Sequence, residues 1–195
     1  TPASTAFWQK GFPRQPDGFE SLLPAVTDFP LFEALGKAFT EPEGLQTGLR
    51  RIYTVHVHDF LYPQPAQNLI FADNHDTTRI FSRLNANYNA FRMAMAVLLT
   101  TRGIPQLYYG TEILMDGYKE DGDGYLRKEF PGGWEDHPRS AFTPQGRTED
   151  EEKAFRFLQR LLQWRRQATA VHNGKLTHFL PQDGIYVYFR HNESQ

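Results

Sequence analysis

The chain contains no cysteine. That absence removes a disulfide framework, a thiolate metal centre and a cysteine nucleophile together. No apolar stretch approaches the roughly 20 residues that a bilayer-spanning helix needs, so the pattern lends no support to a membrane role. Charge of one sign is missing as well: 21 lysines and arginines stand against 23 aspartates and glutamates, a formal charge of −2. Nucleic-acid binding normally leaves a basic surplus, and there is none. Low-complexity tracts are absent, and nothing repeats beyond an alternation of apolar strands and amphipathic helices. Aromatic residues, by contrast, are plentiful. Sixteen Phe, nine Tyr and three Trp suit stacking against apolar ring faces, although core packing accounts for most such side chains.

The most informative segment is an apolar run that ends in charge. Asn68-Leu69-Ile70-Phe71-Ala72 passes directly into Asp73-Asn74-His75-Asp76-Thr77-Thr78-Arg79, as a buried strand with polar groups at its carboxyl end would. Other elements alternate around it. Ala25 to Phe29 predicts a short strand, and Pro30 suits the first position of a helix over Leu31 to Phe39, where its missing N–H loses nothing. Leu49, Ile52, Tyr53, His56 and Phe60 form one helical stripe, stopped by Pro63 and Pro65. Tyr88, Phe91, Met95 and Leu98 keep helical spacing up to Gly103, and Ile104 to Tyr109 predicts the next strand. Thr148 with Glu151 reads as a capping box opening a helix that buries Phe155, Leu158 and Leu162 and ends near Gln167. Lys175 to Leu180 and Ile185 to Arg190 read as strands joined at Gln182-Asp183-Gly184. Residues 1–23 predict loop with one short helix around Phe7 to Lys10. Residues 111–147, rich in glycine and proline, predict a loop too long to be a mere connector.

Phe71-Ala72-Asp73-Asn74-His75-Asp76 resembles the last signature segment of the α-amylase superfamily of glycoside hydrolases. Gly103-Ile104-Pro105-Gln106-Leu107-Tyr108-Tyr109-Gly110-Thr111-Glu112 is similar to the family's eighth barrel strand, and Thr27-Asp28-Phe29-Pro30-Leu31 to its sixth. The segment Gly122-Asp123-Gly124-Tyr125-Leu126-Arg127-Lys128-Glu129-Phe130-Pro131-Gly132-Gly133-Trp134 is similar to a loop of the neopullulanase and cyclomaltodextrinase branch. The resemblance implies an α/β fold: the carboxyl-terminal part of a (β/α)8 TIM barrel, strands six to eight with their helices, over residues 1–168. Residues 169–195 would begin a carboxyl-terminal β-sandwich domain. A whole barrel takes about 250 residues, whereas these 195 residues opening at Thr1 offer three strand–helix units. The chain therefore reads as a portion of a longer enzyme. The missing amino-terminal part of the same enzyme would hold strands one to five, with the aspartate nucleophile and glutamate general acid on the fourth and fifth, and this segment alone would be inactive. The implied activity is retaining cleavage of α-1,4-glucosidic bonds in cyclodextrins, pullulan or starch oligosaccharides, with no cofactor required. A periplasmic or extracytoplasmic location suits such an enzyme; location and oligomeric state stay open.

By the same resemblance Asp76 is the third catalytic carboxylate, and His75 holds the same sugar. Glycosidic cleavage passes through a positively charged ring whose hydroxyls bond more tightly than in the ground state. A fixed carboxylate that favours that form accelerates the reaction. Arg79 nearby would keep Asp76 charged, either as a substrate ligand or as a partner that positions it. His75 can donate from either ring nitrogen, and Asn74 either joins the substrate-binding set or shapes the turn. Read without the resemblance, the cluster is equally a polar turn with Asp76 capping the next helix.

Competing sites are thinner. His56 and His58 with Asp59 have a metal-like spacing, but residues two apart on a helix face different ways, so His56 reads as core and His58 as surface. Asp121-Gly122-Asp123-Gly124 offers oxygens to calcium or is a plain turn. Tyr125 and Trp134 stack on sugar or anchor the loop. Tyr108, Tyr109 and Glu112 belong to a site or to packing at a strand end, and Asp28 shares that position on its own strand. Two other function classes compete: a non-catalytic amylase-like barrel serving as a structural or partner-binding domain, and a metal hydrolase built on His56, His58, His75 and Asp76.

Overall fold

The computed structural model describes residues 1–13 and 18–194; residues 14–17, inside the expected amino-terminal loop, and Gln195 lie outside the described residues. Strand β1 (Leu69–Phe71) pairs in parallel with β2 (Ile104–Gln106), Leu69 opposite Ile104 and Phe71 opposite Gln106. Thr27 adds a parallel bridge to Leu69 on the other side. Three chain segments thus lie side by side in sequence order and in one direction. Each is shorter than the sequence predicts. Asp28 abandons extended geometry to cap helix α2 (Phe29–Lys37), its carboxylate accepting the Leu31 N–H at 2.9 Å. That cap reduces the expected strand at Ala25 to Phe29 to one bridge and starts the helix two residues early, with Pro30 in the first turn.

Gly103 sets the approach of β2. Its φ is +101°, and a Cβ there would lie 2.7 Å from the Ile70 side chain and 2.8 Å from the Asn68 carbonyl oxygen. Only a residue without a side chain lets the chain pass this close to β1.

Helices α3 (Arg50–Val57), α4 (Ile80–Arg83), α5 (Tyr88–Thr100) and α7 (Glu149–Gln167) complete the packing. Leu31, Leu35, Ile52, Ile70, Phe91, Met95, Leu98 and Leu158 meet in one core cluster. Full burial of such a side chain contributes about 1.5–3 kcal/mol. The expected stripe on α3 fails at its last member. The helix tightens into a 3-10 turn at His58–Leu61, which rotates Phe60 outward, and 78% of it is exposed. On α7 the capping box forms as predicted: Thr148 N–H donates to Glu151 at 2.7 Å, and Thr148 Oγ1 accepts from the Glu151 N–H at 3.3 Å. The buried face of α7 is Ala154, Leu158 and Arg165 rather than Phe155, Leu158 and Leu162. Leu162 is exposed, because Arg165 takes the inward position and donates to the carbonyls of Leu99 at 2.7 Å and Gly103 at 2.9 Å.

At the amino end, helix α1 (Pro2–Ala6) precedes the position predicted for a helix, capped by Thr1, which accepts the Ser4 N–H. The expected long loop carries helix α6 (Asp123–Leu126) and 3-10 turns at Thr111–Ile113, Lys119–Asp121 and Pro144–Gly146. After α7 the chain forms a short helix α8 (Thr169–Asn173), then an antiparallel hairpin of β3 (Lys175–His178) and β4 (Tyr188–His191). The first residues of the segment expected to open a β domain are therefore helical. The hairpin turns where the sequence predicts, with Asp183 at φ 51° and Gly184 at φ 71°, the left-handed pair of a type I′ turn. Among the described residues no helix is long and apolar enough to cross a membrane.

Buried charge ties these layers together. Arg102 donates to Asp28 and to Asp59, each at 2.5 Å. Burial works against its charge, yet the two carboxylates outweigh it and push its pKa up. Asp59 is itself shifted up by burial, with Arg102 opposing. Next to this cluster His56 lies in the core as the helical reading expects, its ring nitrogens 2.8 Å from Thr101 Oγ1 and 2.9 Å from Tyr186 Oη. Burial first, then the charges of Arg102, His178 and Arg190, holds its pKa well below the usual histidine value. An unfolded chain regains that value, so below about pH 6.5 it binds a proton that folded His56 refuses, and stability falls as pH falls. Urea titrations from pH 7 to 5 should show a slope of up to about 1.4 kcal/mol per pH unit from this residue. The His56→Gln variant should lose that slope; an unchanged slope would refute the assignment.

Candidate active site

The site is built on the end of β1. Phe71 anchors it, stacked on Phe32 with ring centres 4.9 Å apart and edge-on to Phe29 at 5.2 Å. Asp73 follows and is buried. Its Oδ2 accepts the Ile80 N–H at 2.9 Å and its Oδ1 the Thr111 hydroxyl at 3.0 Å. One carboxylate thereby joins the strand tip, the start of α4 and the turn after β2. Burial pushes the Asp73 pKa up, opposed by the Ile80 hydrogen bond and the charge of Arg79. The capping role that sequence reading offers to Asp76 falls to Asp73, a residue that reading passed over; its position seven residues before a helix start gives no local signal.

Asn74, predicted as a sugar ligand or a turn former, spends its side chain on the turn. Its Oδ1 accepts the Asp76 N–H at 2.9 Å, and its own N–H donates to Thr77 Oγ1 at 3.0 Å. An Asx turn of this kind ties the Asn side chain to the backbone two residues on. His75 and Asp76 are 60% and 59% exposed, with His75 Nε2 3.1 Å from Asp76 Oδ2. The structure brings together these two members of the predicted set.

Arg79 lies elsewhere. It is fully buried beneath the long loop, Nε donating to the Leu126 carbonyl at 2.9 Å and Nη1 to the Tyr109 carbonyl at 2.6 Å, its guanidinium 4.1 Å from the centre of the Tyr108 ring. The expectation that Arg79 neighbours the Asp76 carboxylate is therefore corrected: its Nε and Nη1 go to backbone carbonyls and its buried Nη2 has no hydrogen-bond partner among the described residues, because the chain turns inward before α4 and carries the side chain with it. The cation at Asp76 is Arg127, 51 residues later, whose Nη2 donates to Oδ1 at 2.9 Å and whose Nε donates to the His75 carbonyl at 3.1 Å. Asp123 accepts from the same Arg127 nitrogen at 3.0 Å and from Lys119 at 2.6 Å. Only the Asp-Gly-Tyr-Leu-Arg spacing, i to i+4 on a short helix, could have hinted at the Asp123–Arg127 pair.

Tyr125 and Trp134 are 57% and 63% exposed, so neither anchors the loop. Leu126 and Ala141 do that by burial, leaving both rings free to stack. Tyr109 Oη donates to the Lys128 carbonyl at 2.7 Å, a packing role. Asp123 is held by two cations, Lys119 and Arg127, and among the described residues no group of three or more His, Cys, Asp or Glu side chains is arranged to hold a metal ion. A concavity of about 770 Å³ lined by Phe29, Pro30, Leu45, Arg51 and His58 includes none of Asp73, His75, Asp76 and Arg127 in its lining. The chemistry of the cluster thus resides on a projecting, open surface.

Known protein families match most of the chain. The family described as "Alpha amylase, catalytic domain" matches residues 45–174, and "Cyclo-malto-dextrinase C-terminal domain" matches residues 176–195. A cyclomaltodextrin glucanotransferase of Geobacillus stearothermophilus is 33% identical over 129 residues, 66% of this chain and 16% of that protein. Another, of Paenibacillus macerans, is 27% identical over 166 residues, 85% of this chain and 20% of that protein. Among solved structures, the α-amylase of Geobacillus thermoleovorans complexed with acarbose has a TM-score of 0.67 at 26% identity, covering 88% of this chain and 35% of that one. A three-domain cyclomaltodextrin glucanotransferase gives 0.61 at 27% identity, with 86% and 30% covered. The fold is that of the (β/α)8 barrel-type catalytic domain these proteins share. The chain spans 10–16% of the length of the first three curated relatives.

Asp73 and Asp76 should separate cleanly on mutation. Asp73→Ala leaves a buried N–H and a buried hydroxyl unpaired, at about 1–3 kcal/mol each, so urea unfolding should show a loss of about 2–6 kcal/mol. Asp76→Asn, on an exposed turn, should stay within about 0.5 kcal/mol of wild type. Equal losses would contradict this division of labour.

Proposed function

The chain belongs to the α-amylase family, and from that premise we propose that it forms part of a retaining glycoside hydrolase acting on α-1,4-linked glucans. Asp76 is the carboxylate that stabilises the transition state, and His75 binds the sugar. The observation that carries this reading is the Asp76 carboxylate itself. It is exposed at the end of a barrel-type strand, where site residues of such folds gather, and it is oriented by His75 on one oxygen and Arg127 on the other. Each carboxylate oxygen has two lone pairs, so hydroxyls of a bound ring have acceptors left to them.

The parallel order Thr27, β1, β2 supports reading these segments as strands six, seven and eight. The family matches meeting near residue 175 support a boundary close to the expected one at residues 168 and 169, with the β3–β4 hairpin opening a carboxyl-terminal β domain. Retaining hydrolysis needs two carboxyl groups flanking the bond, one as nucleophile and one as acid. We assign both to a preceding part of the enzyme, in keeping with the small share of its relatives that this chain spans. Cyclodextrins head the substrate list, because the relatives include cyclomaltodextrin glucanotransferases and the last 20 residues match a cyclomaltodextrinase domain; pullulan and starch oligosaccharides follow.

Asp76→Asn in the complete enzyme should lower release of reducing sugar from β-cyclodextrin by at least about 100-fold with an unchanged melting temperature. Near-normal turnover would sink the assignment. The isolated 195-residue chain, checked by intact mass, should release none; turnover at that mass would mean that nucleophile and acid lie within it.

A further inference from the structure

A transition-state carboxylate has to point one way, yet Asp76 stands on a turn with most of its side chain in solvent. A short side chain in that setting has several staggered rotamers open to it. The long loop supplies the restraint. Arg127 grips backbone and side chain together, donating Nε to the His75 carbonyl at 3.1 Å and Nη2 to Asp76 Oδ1 at 2.9 Å. Because the guanidinium is planar and rigid, two such bonds fix the carboxylate relative to the main chain.

Arg127 is itself held. Asp123, one turn earlier on α6, accepts from Nη2 at 3.0 Å, and Lys119 holds the other Asp123 oxygen at 2.6 Å. Beneath them, the buried Nε of Arg79 donates to the carbonyl of Leu126, the residue before Arg127. The tip of β1 thus fastens the loop from below through Arg79, and the loop fastens the tip from above through Arg127. Exposed ion pairs contribute little to stability, and Arg127, Asp123 and Asp76 are each about half exposed. The arrangement therefore sets geometry more than it holds the fold.

We propose that Arg127 is a positioning residue for Asp76, with Asp123 as its anchor. This rests on the reading of Asp76 as the transition-state carboxylate. Loss of Arg127 frees the carboxylate to rotate, and a misplacement of about 1 Å can cost on the order of 100-fold in rate.

The test is a double-mutant cycle in the complete enzyme, with kcat and KM measured on a linear α-1,4-glucan oligosaccharide. Arg127→Ala should lower kcat about 10- to 100-fold with KM and melting temperature nearly unchanged. Millimolar guanidinium should restore part of the rate, and Arg127→Lys should fall between alanine and wild type. Asp123→Asn should lower kcat less and should not respond to guanidinium. In an Asp76→Asn background, Arg127→Ala should cause no further loss, as expected when one residue acts through the other. Unchanged kcat in Arg127→Ala would overturn the proposal, as would a raised KM at constant kcat, which marks a ground-state sugar ligand, or a full additional loss in the double mutant. If Asp76→Asn alone keeps its turnover, the underlying reading of Asp76 fails and takes this proposal with it; if only Arg127→Ala is silent, that reading stands.

Discussion

The carboxylate of Asp73 is the joint on which the candidate site depends. Buried beneath the turn, it accepts one hydrogen bond from the first helical N–H after the turn and another from the hydroxyl of Thr111 beyond β2. Removing either donor would leave a buried acceptor short of a partner, and such a group costs far more unpaired than its bond contributes when made. That asymmetry is what allows the turn carrying His75 and Asp76 to hold a fixed shape. His75 and Asp76 project from a turn whose base cannot move without breaking Asp73 free.

Three buried arginines show two ways of keeping a cation out of water. Arg102 lies between Asp28 and Asp59, a charge-neutralising arrangement that links the start of α2 to the 3-10 turn after α3. Arg79 and Arg165 donate instead to main-chain carbonyls of other segments. A guanidinium has five N–H groups in a fixed fork, so each can clamp irregular backbone that has no ladder of its own. Arg165 holds the passage from α5 into β2, and Arg79 the passage through Tyr109 and Leu126. Irregular backbone beside a barrel-type strand end is where loops must keep their shape without secondary structure, and these side chains take over that task.

Local sequence carried much of the fold. The apolar run into Asp73–Arg79, the Thr148–Glu151 box and the Asp183-Gly184 turn involve residues within a few positions of each other, so their physics is complete in the sequence window. Departures arise where a distant group decides. Phe60 leaves its stripe because α3 tightens at its end, and Leu162 yields to Arg165 because the carbonyls of Leu99 and Gly103 attract a guanidinium. The site divides the same way. His75 and Asp76 were legible as a pair, and Asn74 as a turn former, whereas the cation beside Asp76 was assigned to Arg79 by nearness in sequence. Side-chain direction at a turn depends on backbone angles that composition does not encode, and Arg127 arrives through a loop folded on non-local contacts.

Gly103 lies far from the exposed turn of His75 and Asp76 in chemistry, but not in mechanics. A methyl group there would strike both the Ile70 side chain and the Asn68 carbonyl, prising apart the two strands whose ends carry Asp73 and Thr111. Random mutagenesis scored by lost folding would single out this glycine alongside Asp73, although it offers no functional group at all. Intolerance to change along this chain therefore maps the tightest backbone crossing as well as the joint beneath the candidate site.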